Sequence, residues 1–275
     1  MKNDFCIIYI ATTEKYRSEC LQSVVSVKAV MPDVPIILWT DSFPRSDSNY
    51  FDNIYIIDSP EFSKSDKISQ LTRTNYTKNV FLDTDTYVLH SFYEISDLLE
   101  NFDIAVSHAP NRLSKRTDYI NEGIPVCFPP LNTGVIAFKN NRSTVRLFKE
   151  WKNIYDHHLK NAHHSVPDQP AFRKALYFSN THFTILPPEY NIRTIFPAFK
   201  GGNYLVKILH GRGDSLKNAI KKVNDSYNNI EIYYFQRNQY IRSKKRQIKK
   251  RTVELIQQLG FGSDKIEHIN QKINR

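Results

Sequence analysis

The strongest constraint in this sequence is an apolar run that ends on two acids, Asn79-Val-Phe-Leu-Asp83-Thr-Asp85, with a second short apolar run, Tyr87-Val-Leu, directly behind it. An exposed acidic pair has no reason to sit between two such runs, so Val80–Leu82 reads as a buried strand. Upstream, β-branched runs alternate with helical patterns. Strands are predicted at about Phe5–Ala11, Ile36–Thr40 and Ile54–Asp58, and helices at about Glu14–Val30 and Ser65–Thr77. That alternation is the pattern of βαβ units. Open α/β sheets bind ligands beyond the carboxyl ends of their strands, where Asp83 and Asp85 stand.

Two carboxylates one residue apart at such a strand end can offer hard oxygen ligands to a divalent cation. A cation of this kind would bridge a substrate diphosphate and offset its charge as a leaving group. Further strands are predicted at Ile104–Val106, Val135–Phe138 and Leu205–His210, and further helices at about Arg142–Leu159, Gln169–Phe178 and from Ser215. The polar, Pro-containing connection His108–Leu131 reads as a lid or an acceptor loop.

Charge divides the chain. The net charge is +10, but Gln236–Arg275 holds 11 basic and 3 acidic residues, leaving 27 basic against 25 acidic in residues 1–235. We therefore read a body at 1–235 and a basic appendage at 236–275. In the appendage Ile241, Ile248 and Leu255 recur every seven residues, a thin apolar stripe on a cationic helix suited to an anionic membrane surface. The same basicity, with Tyr233, Tyr234 and Tyr240 nearby, leaves nucleic-acid binding as a rival reading, less suited to a chain whose body is nearly neutral. No apolar stretch is long enough to span a bilayer, and the start reads as a first core strand rather than a signal peptide. Cys6, Cys20 and Cys127 form no CxxC pair, so free thiols in a reducing, cytoplasmic setting are expected, peripheral to a membrane through the appendage.

The segment Lys67-Ile-Ser-Gln-Leu-Thr-Arg-Thr-Asn-Tyr-Thr-Lys-Asn-Val-Phe-Leu-Asp83-Thr-Asp85 resembles the donor site of glycogenin-like glycosyltransferases of the GT-A fold, a group that includes bacterial lipooligosaccharide galactosyltransferases. Four further segments follow the family's order: Ala11-Thr-Thr-Glu-Lys-Tyr16, Leu131-Asn-Thr-Gly-Val135, Asp168-Gln169 and His210-Gly-Arg-Gly213. The likeness spans about residues 5–217. It implies a mixed α/β sheet flanked by helices and a metal-dependent hexosyl transfer with retention, from a nucleotide diphosphate sugar of the UDP type to a glycan or glycolipid hydroxyl.

Site roles follow from the resemblance. Asp83, Asp85 and His210 would ligate Mn²⁺ or Mg²⁺, with Thr84 between the two acids in the donor site. Tyr16 would stack on the base, and Thr12 and Thr13 would fix its polar edge, unless one of these threonines only caps the following helix. Lys67 would meet phosphate or the donor sugar, or else belong to a solvated face beside Lys64. Asn132 would bond the sugar while Gly134 lets the chain approach, unless Asn132–Gly134 is only a turn. Asp168 and Gln169 would act at the reacting carbon, or simply open a helix. Gly213 would admit phosphate.

The chain departs from the family at two places. Ser165 stands where relatives carry a third acid, and Leu216 occupies the place of a lysine, which leaves Lys217 and Arg212 as alternative diphosphate ligands. An aspartyl-nucleophile phosphatase is a second enzymatic rival, but Tyr87 stands where that class carries Thr or Val.

Overall fold

A computed structural model describes residues 4–42, 48–110, 123–161, 166–201, 204–223 and 231–233. The basic appendage, Ser165 and much of the His108–Leu131 connection lie outside them. The strands are β1 (Phe5–Ala11), β2 (Ile36–Thr40), β3 (Asn53–Ile56), β4 (Lys78–Leu82), β5 (Thr86–Val88), β6 (Ile104–His108), β7 (Leu131–Lys139), β8 (Phe183–Leu186), β9 (Ile192–Arg193), β10 (Ala198–Lys200), β11 (Ile208–His210) and β12 (Glu231–Tyr233). The helices are α1 (Glu14–Val30), α2 (Lys64–Gln70), α3 (Glu94–Asn101), α4 (Arg142–Asn161), α5 (Gln169–Tyr177) and α6 (Gly213–Lys222).

Seven strands form one mixed sheet in the order β3-β2-β1-β4-β7-β6-β8. β1 lies parallel to β2 and β4, whereas β7 runs antiparallel to both β4 and β6. Period-2 alternation sends successive residues of a strand to opposite faces. On β1, Cys6 and Ile8 enter a core beneath α2, α4 and α5 that includes Ile68, Phe148, Trp151 and Phe172. Phe5, Ile7, Tyr9 and Ala11 enter a second core beneath α1 and α3, with Val24, Val27, Ile95 and Leu99. Strands buried on both faces are continuously apolar, which is why β1 and β2 match their predicted limits. Burial pushes the Cys6 thiol up to about 12, as expected of an inert core thiol.

Two boundaries are corrected. The second helix ends at Gln70, not near Thr77. Beyond it the Thr74 hydroxyl accepts the Tyr76 amide, and Asn140 Nδ2 donates to the Thr72 and Thr74 carbonyls, so local side chains replace helical partners. The strand expected over Leu205–His210 shortens to Ile208–His210. Helix α3 was not anticipated: it spans eight residues and is anchored by buried Ile95 and Leu99, too few positions to reveal a period in the sequence.

A three-stranded sheet, β5-β11-β9, covers the carboxyl end of β4. Register pairs His210 with Thr86 on one side and with Arg193 on the other. Among the described residues no helix is long and apolar enough to cross a membrane.

Candidate active site

Strand β4 ends at Leu82, and its continuation is pinned from both sides. The Asp83 amide donates to the Gly134 carbonyl at 2.8 Å, and the Gly211 amide donates to the Asp85 carbonyl at 2.8 Å. These bonds place β7 and β11 against the two acids. His210 Nε2 lies 3.2 Å from Asp85 Oδ1 and 3.7 Å from Asp83 Oδ2. Asp85 and His210 are buried, and ligand atoms of all three side chains lie within 4.8 Å of one another.

The imidazole's proton can be placed by following a chain of bonds. The Gly134 amide can only donate, and it reaches Asn132 Oδ1 at 2.9 Å, so that oxygen is an acceptor. Asn191 Nδ2 donates to the same oxygen at 2.8 Å, which turns Asn191 Oδ1 toward His210 Nδ1 at 2.9 Å. Nδ1 therefore carries hydrogen, and Nε2 is the ring atom that faces the two carboxylates. A divalent cation seated among the three side chains would satisfy all of them at once. The O,O,N donor set suits Mn²⁺ or Mg²⁺, and outer partners of this kind hold metal-ligating histidines in place. A Cβ at Gly134 would stand 1.9 Å from His210 Cε1, so the close approach excludes any larger residue. Replacing Asn191 with Leu is expected to weaken Mn²⁺ affinity by roughly 10–100-fold, measured by calorimetry. Unchanged affinity would mean that the ring is held some other way.

Charge is arranged in depth. Burial alone would raise the Asp85 carboxyl, but His210, then Arg212 and Arg193, hold it below the ordinary carboxylate range. Lys67 is only 5% exposed, which excludes the solvated-face alternative. Its Nζ lies 2.8 Å from Asp168 Oδ2 and 3.5 Å from Asp83 Oδ1, and it donates to the Thr133 carbonyl at 2.9 Å. Asp168 has no side-chain role in capping α5, since its carboxylate instead takes Lys67 and the Thr133 hydroxyl. Burial would raise the Asp168 carboxyl, yet Lys67 and Lys64 hold it below its usual value.

At the end of β1, Thr13 adopts a positive φ of 79° and makes no side-chain cap. Its amide donates to Asp41 Oδ1 at 2.8 Å, and Arg17 binds the same carboxylate. Such a backbone costs on the order of 1–3 kcal/mol and persists where surroundings over-determine it. The turn it makes brings Thr12 and Tyr16 to the site.

One cavity of about 520 Å³ joins Thr12, Tyr16, Lys67, Asp83, Thr84 and Asp85 with Asp168, Gln169, Arg193, His210 and Arg212. Tyr16 is 41% exposed at its rim. The Thr84 hydroxyl donates to Glu19, which also pairs with Arg212. Asn132 and Gly134 stand behind the wall rather than in it. Gly213 has a φ of +60° and open space where a Cβ would go, and it makes the turn into α6. Lys217 is exposed on α6 and is not among the cavity's lining residues, whereas Arg212 lines it and reaches Asp85 Oδ2 at 2.9 Å. Asn191 and Arg193 were not foreseen, because one turn residue and one residue of a two-residue strand carry no pattern.

The profile of the nucleotide-diphospho-sugar transferases matches residues 62–225, well over half of the chain. The chain belongs to this family. Three solved members of the fold illustrate the likeness. The galactosyltransferase LgtC, in complex with donor and acceptor sugar analogs, superposes with a TM-score of 0.55 at 15% identity, over 75% of this chain and 87% of that one. GlyE of Streptococcus pneumoniae TIGR4 gives 0.53 at 14% identity, over 76% and 55%. Mouse xyloside xylosyltransferase 1 gives 0.52 at 13% identity, over 77% and 99%. No curated protein sequence matches the chain. The family and fold support neither the phosphatase nor the nucleic-acid reading of the sequence.

Proposed function

We propose that the protein is a metal-dependent hexosyltransferase that uses a UDP-type sugar and glycosylates a glycan or glycolipid hydroxyl with retention of configuration. The observation that carries this reading is the convergence of Asp83, Asp85 and His210 on one point, with the Lys67–Asp168 pair adjoining in the same cavity. Bound there, Mn²⁺ or Mg²⁺ would neutralise the diphosphate as the sugar–phosphate bond breaks.

The chain's own residues supply the rest. Tyr16 and Thr12 receive the base at the open rim, and Arg212 adds positive charge beside the diphosphate. Lys67, fixed by Asp168 and Thr133, faces the charge that develops on the departing oxygens. Asp168 and Gln169 orient the sugar, and Gln169 presents its amide to the reacting carbon. The acceptor oxygen bonds that carbon on the face the diphosphate leaves, and its proton passes to the leaving phosphate.

A screen of nucleotide sugars for Mn²⁺-dependent hydrolysis and transfer tests this proposal directly. Loss of every signal in EDTA is expected, and proton NMR of the first product should show the donor's anomeric configuration. Tyr16→Ala should weaken UDP binding by roughly 1–3 kcal/mol, the range for aromatic–base stacking, without abolishing metal dependence. Unaltered affinity by calorimetry would remove Tyr16 from the base site.

A further inference from the structure

Arg193 occupies a singular place among the described residues. A second cavity of about 380 Å³ adjoins the first, walled by Pro187, Pro188, Pro197 and Phe199, and Arg193 alone lines both. The residue stands beside His210 in parallel register, so it enters the junction from the strand next to the metal ligands. Its Nε is buried and bonded to nothing.

Of the other cations lining the first cavity, Lys67 is committed to Asp168 and Asp83 and Arg212 to Glu19 and Asp85, while Lys64 lies exposed at its edge. Asp83 and Asp85 act on Arg193 only through space. A buried donor left without a partner is costly, and the fork of N–H groups to which it belongs is most strongly satisfied by a two-oxygen anion. The apolar walls around it make any such pairing stronger than it would be in water.

We infer that Arg193 is an oxyanion-binding side chain at the boundary of the two cavities, taking a carboxylate or phosphate from the bound substrates. Two sources meet that chemistry. An acidic group on the acceptor would sit in the second cavity, or the donor's diphosphate would reach across from the first. This inference deepens the transferase reading and rests on it, since an acceptor must lie next to the donor sugar.

The test uses the full-length protein and its Arg193→Gln and Arg193→Lys variants, with thermal melting to confirm folding. Calorimetry would follow UDP and uridine binding in Mn²⁺, and then inorganic phosphate added to the UDP-loaded protein. Expected is a tenfold or greater loss of phosphate affinity in Arg193→Gln, smaller in Arg193→Lys, with UDP affinity within twofold of wild type. That outcome assigns the oxyanion to the acceptor side. A tenfold loss for UDP with no change for uridine supports the same site and assigns it to the donor diphosphate. If both affinities are unchanged in Arg193→Gln, the inference is overturned. Should the wild-type protein bind no UDP, the donor reading fails separately, and phosphate titrated into the protein without nucleotide still decides whether Arg193 binds an oxyanion.

Discussion

An Asp85→Asn enzyme is expected to lose at least roughly a thousandfold of its transfer rate while keeping its far-UV circular dichroism. Asparagine preserves the volume and one oxygen of the side chain but removes the charge that makes the donor set attractive to a divalent cation. A thousandfold corresponds to about 4 kcal/mol, within the several kcal/mol a metal contributes by stabilising transition-state charge. Gly134→Ala should approach the same loss without touching a ligand, because its new methyl would stand 1.9 Å from the His210 ring and drive it off the acids. The idea fails if Asp85→Asn turns over normally or if the wild-type enzyme is fully active in EDTA.

Replacing Lys67 with Met should be the most destabilising single change in the site. The methionine fills a similar volume but strands the buried Asp168, a residue only 4% exposed, beside a second acid. Breaking one partner of a buried pair typically costs about 3–5 kcal/mol, to be measured by urea unfolding. The pH dependence identifies the cause. In the wild-type protein the Asp168 carboxyl lies below its ordinary value, so the stability it contributes is complete above the unfolded pKa of about 3.9 and is lost as pH falls through the lower folded value. Without Lys67, burial dominates and the folded carboxyl rises above the unfolded value. Protonation then relieves the strain, and the deficit of the Lys67→Met protein should shrink between pH 7 and pH 4. An equal deficit at both would mean that Lys67 stabilises through its cation–π contacts with Phe81 and Trp151 rather than through its pairing with Asp168.

Some of this architecture could be read before folding, and some could not. The limits of β1, β2 and α1 were legible because doubly buried strands and a long helix leave unbroken patterns. So was the convergence of Asp83, Asp85 and His210, but only through a resemblance in which several short segments recur in order. The roles of Asn132 and Asn191 were hidden for a physical reason. Their importance lies in a hydrogen-bond chain between β7, the turn before β9 and β11, and no spacing in a sequence encodes which asparagine oxygen faces which ring. Arg193 was hidden likewise, since its meaning comes from register beside His210 and from the two hollows it separates. The overlong second helix misled because the Thr74 side chain binds backbone outside a helix, and Asn140, far along the chain, takes the Thr72 and Thr74 carbonyls.

Strand β7 runs against both of its neighbours, so its opening residues, Asn132–Gly134, meet the site at the edge where β1 and β4 finish. Its register is clamped on two sides, and the irregularity between Val106 and Ser107 already absorbs a mismatch with β6. Beside these strands the Ala109 amide donates to the Pro130 carbonyl at 2.9 Å, so the chain leaves β6 and enters β7 through one fixed doorway. For enzyme engineers that doorway marks a graft point: segments of other lengths inserted between Ala109 and Pro130 should leave Gly134, Asp83 and His210 where they are.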